Sequence, residues 1–150
     1  MAPKLTPEYA EEIIKRLEGI PEDATPAWGK MNRAQLYGHL ATVMRYSMGE
    51  LGRMPDKSSF KLRNVYRPLI FMGLAKIPRN IRIPGERARK EPPPEATLEE
   101  VTEAIRNAQA ALSNGQVETP NHPFFGEIGA KGWLTFHYRH CEHHLEQFGA

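Results

Sequence analysis

Apolar positions recur every three or four residues in four windows of the chain, and nowhere do they alternate in the two-residue rhythm of a half-buried strand. In residues 8–20, Ala10, Ile13, Ile14 and Leu17 form one stripe. Thr6 is placed to cap this helix, Pro7 suits its first position, and Gly19 with Pro21 stops it. The second helix opens with Asn32 followed three residues later by Gln35, a capping-box spacing. It carries Leu36, Leu40, Val43, Met44 and Leu51 on one side and is predicted to run to Gly49 or Gly52. Residues 60–77 carry Leu62, Val65, Tyr66, Leu69, Ile70 and Leu74 at helical spacing, interrupted by Pro68 and Gly73, which predicts a kinked or broken helix. Thr97 and Glu100 repeat the capping box before Leu98, Val101, Ile105, Ala108 and Leu112, and Asn114-Gly115 ends that helix. In the last window Trp133, Phe136, His140, His144 and Phe148 fall near one face, and Gly149 closes it.

The 13 prolines sharpen this division, because proline is excluded from helix interiors. They are densest in Lys76–Pro94, which reads as a long extended crossover. Helices with a single apolar face can bury it only against one another. The expected architecture is therefore all-α: a bundle of four main helices with a long crossover and a short extra or broken helix. A length of 150 residues, 40% of them apolar, suits a single domain spanning 1–150.

Charge narrows the function classes. Twenty Lys and Arg against eighteen Asp and Glu leave a net +2, too little for a general nucleic-acid binder, so no nucleic-acid partner is expected. The basic residues Lys76, Arg79, Arg82, Arg87, Arg89 and Lys90 in the crossover read as a solvated loop, with an anionic substrate or nucleic-acid backbone as the alternative. The longest apolar run, Leu69–Ala75, is far below the roughly 20 residues of a membrane span. The first residues, Met1–Glu8, lack the basic-then-apolar pattern of a secretory leader, and a cytoplasmic location with no membrane partner is expected. With Cys141 as the one cysteine, an internal disulfide and a four-thiolate zinc site are both excluded. Any metal must be held by nitrogen or oxygen.

Four of the six histidines, His137, His140, His143 and His144, crowd into residues 137–144. On a helix His140 and His144 are separated by about 6 Å along the axis and about 40° around it, so both rings can reach one ion. Measured from Trp133, His140, His144 and His137 lie within about 40° of the inward direction, His143 sits at the edge, and Glu142 lies on the opposite, solvent side. His39 lies between Leu36 and Leu40 at the margin of the apolar face of the second helix. Alone it reads as a hydrogen-bonded core histidine; with the pair, it completes a three-imidazole site with open positions, the arrangement of a catalytic metal. His122-Pro123-Phe124-Phe125-Gly126 reads as a rigid turn in which Phe124 and Phe125 plug the end of the bundle, or as a loop in which His122 borders the metal cavity. Cys141 is expected to be a small core residue.

Gly38-His39-Leu40 and the terminal His140-Cys141-Glu142-His143-His144-Leu145-Glu146-Gln147-Phe148 resemble the DinB superfamily of metal-dependent helical bundles. Trp28 with Met31, His122–Gly126, Trp133 and the final His-His-Leu-Glu-Gln-Phe are similar to a subgroup known only as a domain of unknown function. The resemblance runs in order along the whole chain, with no motif in residues 55–95. It implies a four-helix bundle with a divalent ion on His39, His140 and His144. It also implies kinship with S-transferases and isomerases that use low-molecular-weight thiols.

Three neutral imidazoles suit zinc or nickel, and iron or manganese are compatible. The expected function is a metal-dependent enzyme acting on a small-molecule substrate, a thiol S-transferase with a low-molecular-weight thiol as co-substrate or a hydrolase. His122, His137 and His143 are expected around the ion or in the substrate pocket. The alternative is a non-enzymatic bundle that binds a metal or small ligand. A homodimer is compatible with either.

Overall fold

The computed structural model describes residues 2–79 and 92–150. It is predominantly helical: α1 (Pro7–Glu18), α2 (Arg33–Ser47), a π-helical turn (Leu62–Tyr66) leading into α3 (Arg67–Phe71), α4 (Leu98–Ser113) and α5 (Gly129–Gln147). A two-residue antiparallel hairpin, β1 (Asn121–His122) with β2 (Gly126–Glu127), precedes α5. The crossover residues Arg82, Arg87, Arg89 and Lys90 lie outside the described residues.

The start signals operate as the sequence predicts. Thr6 Oγ1 accepts from the Tyr9 N–H at 3.1 Å with Pro7 in the first turn of α1. Asn32 and Gln35 form a reciprocal capping box on α2, and Thr97 and Glu100 form another on α4. The predicted stripe Ala10, Ile13, Ile14 and Leu17 is buried, as are Val101, Ile105, Ala108 and Leu112 of the other, whose first member Leu98 is only partly buried. Helix α4 packs against α1, α2 and α5, so one apolar core runs through the four long helices, with Leu17, Leu36, Leu40, Ile105, Trp133 and Leu145 at its centre.

The end of the crossover is clamped onto α2. Ala96 N–H donates to the Ala34 carbonyl at 3.0 Å, and a Cβ at Gly38 would collide with the Pro94 carbonyl. Gly38 is thus the small residue that lets Pro94 lie directly on the helix, one residue before His39.

The 60–77 segment departs from expectation in its packing. Its break is present, but of its predicted stripe only Ile70 is buried, while Val65, Tyr66, Leu69 and Leu74 are exposed. The π turn has a wider repeat than an α-helix, so a stripe spaced for 3.6 residues is split across two directions. The hairpin was not predicted either, because two residues per strand leave no alternation to detect. Among the described residues no helix is long and apolar enough to cross a membrane.

Candidate metal centre

Helices α2 and α5 meet through imidazoles. His39 Nε2 lies 3.1 Å from His140 Nε2, which in turn lies 3.1 Å from His144 Nε2. The three ligand atoms fall within 4.8 Å of one another, and all three residues are buried. The structure therefore brings together the three histidines that the sequence singled out, one from α2 and two from successive turns of α5.

The protonation state of this cluster follows from its neighbours. Gln147 Nε2 donates to the Trp28 carbonyl at 2.8 Å, which turns its Oε1 toward His144 Nδ1 at 2.7 Å. An amide oxygen can only accept, so His144 carries its proton on Nδ1 and presents a bare lone pair at Nε2. Burial pushes His39 down to about 4, and burial followed by the neighbouring imidazoles holds His140 and His144 well below the usual histidine range. All three rings are neutral at pH 7. With His144 Nε2 bare, a neutral His140 that keeps its proton on Nε2 can donate it well to only one of its two neighbours, whereas with the protons on Nδ1 the three lone pairs converge and favour something positive among them. Ligand nitrogens on a tetrahedral ion with bonds of about 2.0–2.1 Å are separated by about 3.3 Å, close to the two 3.1 Å separations here, and three imidazoles are donors that suit a divalent ion.

The cluster opens onto a cavity of about 900 Å³, lined largely by apolar and aromatic side chains that include Met31, Ile70, Phe124, Phe125 and Phe136. Phe124 and Phe125 form part of its wall and do not plug it. Arg79 lies over the Trp28 ring at 4.1 Å, and Trp28 packs on His143 at 5.3 Å. Both Trp28 and His143 line the cavity, so His143 belongs to the pocket wall, as expected for an edge position. His122 also lines it.

His137 corrects the sequence reading. It is fully buried, does not line the cavity, and its Nε2 lies 2.8 Å from Ser47 Oγ. Ser47 gives its own proton to the Met44 carbonyl at 2.7 Å, so His137 must donate, and it acts as a strut between α5 and α2. The physical reason is Trp133, one turn before it, which stacks on the ring at 5.3 Å and separates it from the open space. Glu142 is a second correction: it does not simply face solvent but pairs with Arg16 of α1 at 2.7 Å. Cys141 is buried as expected, and burial pushes its thiol up to about 12, which makes it inert.

Sequence reasoning missed Gln147 and Ser47. Gln147 had a signal, since it follows His144 by three residues and so shares its face. Ser47 had none, because nothing local to α2 shows that its hydroxyl meets a histidine 90 residues away.

A family model described as "Protein of unknown function (DUF1569)" matches residues 3–150. No curated protein and no solved structure matches the chain.

Proposed function

We propose, for a chain that belongs to the DUF1569 family, that α1, α2, α4 and α5 form a DinB-like four-helix bundle in which His39, His140 and His144 hold a divalent ion and the adjoining cavity receives a small-molecule substrate. The observation that carries this reading is the meeting of three buried Nε2 atoms at the edge of a roomy cavity. Zinc or nickel suits three imidazoles, and iron or manganese is compatible. A bound ion supplies Lewis acidity to a thiol or a water at the cavity floor. The chain's own part is to orient and to exclude water. Gln147 fixes the His144 ring, and Phe136, stacked on His140 at 5.1 Å, shields the cluster from bulk solvent.

The reaction class that fits is thiol S-transfer, with hydrolysis second. Among the described residues no carboxylate lines the cavity, and Glu142 is spent on Arg16, so a reaction that needs a carboxylate base is poorly served. The same lack of a lining carboxylate among the described residues leaves, as the second reading, a protein that binds ion and ligand without chemistry.

The test is metal analysis of purified protein followed by cobalt substitution. One equivalent of metal is expected, lost in His144→Ala while the helical content persists. Adding cysteine to the cobalt form should produce sulfur-to-metal charge-transfer absorption. Cobalt uptake with no response to thiols overturns the transferase reading, and uptake indifferent to His144→Ala overturns the site.

A further inference from the structure

The imidazole of His122 takes no part in the three-histidine cluster, yet its geometry is equally constrained. It ends β1 and begins the turn to Phe125, where its Nδ1 accepts from the Phe124 N–H at 3.0 Å and the Phe125 N–H at 3.3 Å. A nitrogen that accepts twice carries no proton, so the neutral ring holds its single proton on Nε2. The ring is held between Phe125, stacked at 4.7 Å, and Phe136, edge-on at 4.3 Å, with Trp133 at 5.2 Å. Burial pushes its pKa down to about 3, which keeps it uncharged at neutral pH. His122 nevertheless lines the cavity, and no group among the described residues bonds its Nε2. Phe136 touches His122 on one side and His140 on the other, so this nitrogen and the imidazole cluster flank the same aromatic ring.

We propose that His122 Nε2–H is a fixed, neutral hydrogen-bond donor for the cavity's ligand, and that this ligand is an apolar molecule bearing an uncharged acceptor oxygen such as a ketone, ester or amide carbonyl. The apolar body follows from the wall, where Met31, Ile70, Phe124, Phe125 and Phe136 surround the site. The uncharged oxygen follows from the donor: a carboxylate buried among these rings would need a positive partner beside it, whereas Lys30, a cation among the lining residues, is exposed, and His122 stays neutral. This inference rests on the proposal that the cavity is the substrate site, but not on the presence of the ion.

His122→Asn separates the donor from the turn. The asparagine Oδ1 takes the place of Nδ1 and accepts from the same two backbone N–H groups, as asparagine does in such turns, while nothing replaces Nε2–H. The probes are 2-acetylnaphthalene and its planar isostere 2-isopropenylnaphthalene, titrated into the full chain by tryptophan fluorescence. Wild type is expected to bind the acetyl compound about tenfold more tightly, with its carbonyl infrared band moved to lower frequency. In His122→Asn the preference should vanish and the band return. Equal binding by wild type, failure to bind either probe, or a preference surviving in His122→Asn overturns the proposal. If the variant does not fold, the wild-type long-range ¹H–¹⁵N spectrum decides: His122 must be the Nε2–H tautomer and shift with the acetyl probe alone, and an Nδ1–H tautomer refutes it. His144→Ala separates the two readings, because it should lose metal while keeping the acetyl preference.

Discussion

Two side-chain hydrogen bonds on α5 have opposite jobs, although each ends on a histidine. Gln147 faces His144 Nδ1 and ties it to the Trp28 carbonyl; Ser47 receives the proton of His137, which never reaches the cavity. Gln147→Leu should therefore lower metal affinity about 10- to 100-fold, beside a stability loss of about 1–3 kcal/mol, because the His144 ring loses the partner that fixes its lone pair and its buried N–H is left unpaired. Ser47→Ala should cost about as much in stability, again by leaving a buried N–H unpaired, while metal affinity holds. Competition titrations with a chromogenic chelator, run beside urea melts of both variants, separate the two roles. Equal loss of affinity in both would mean that the cluster responds to general loosening of α5 and not to the tautomer of His144.

At the scale of elements, the site depends on how closely the chain approaches α2. Gly38→Ala places a Cβ where the Pro94 carbonyl already lies, and neither backbone can retreat without opening the α2–α4 contact. A loss of about 1–3 kcal/mol is expected, as for other overpacked positions, together with weakened metal binding through displacement of His39. Urea denaturation reads the first and cobalt titration the second; a neutral Gly38→Ala would show that the Pro94 segment can lift away. Thr97→Ala, which removes only a cap, should cost about 1 kcal/mol and leave the metal affinity intact. The helices and their caps were legible because they are local: Thr6, Asn32 and Thr97 bond residues three positions away. His140 and His144 were legible for the same reason, as helix geometry alone aligns them. His39 was legible from its place at the margin of an apolar face and from the resemblance carried by Gly38-His39-Leu40, whereas its pairing with His140 is a tertiary fact. The exposed face of the 60–74 segment, the hairpin and the His137 strut were not legible, because a π turn, a two-residue strand and a stacking tryptophan leave no periodic trace. The role of Gly38 escaped for a related reason, since its partner Pro94 lies far away in sequence.

For the whole molecule, the five buried histidines make acid the natural denaturant. Burial pushes His39 to about 4 and His122 and His137 to about 3, and holds His140 and His144 well below the ordinary value. Each group is depressed in the folded state, so the unfolded chain binds more protons below about pH 6.5. Stability is fully present above that pH and is lost as pH falls toward the folded values. At pH 5 each strongly depressed histidine costs about 2 kcal/mol, and five of them together reach the order of a whole domain's stability. The metal-free protein should therefore unfold between about pH 6 and pH 4.5. Because the folded ligands are already neutral, metal affinity of the folded form should stay nearly flat from pH 7 to pH 5, with release coinciding with unfolding. Circular dichroism and cobalt absorbance followed through one acid titration test this; metal release well ahead of unfolding, with a three-proton slope, would contradict it.

His39 and His140 are separated by 101 residues of chain. In polymer language, an ion bound to both is a clip on a very long loop, and a disordered chain must surrender closure entropy before it can offer all three nitrogens at once. The denatured ensemble retains only the local His140 and His144 pair as a weak chelate. An ion held by all three is thus tied to the native topology and resists the separation of α2 from α5. Its kinetic signature should be slower unfolding with an almost unchanged folding rate, provided the long loop closes after the folding barrier.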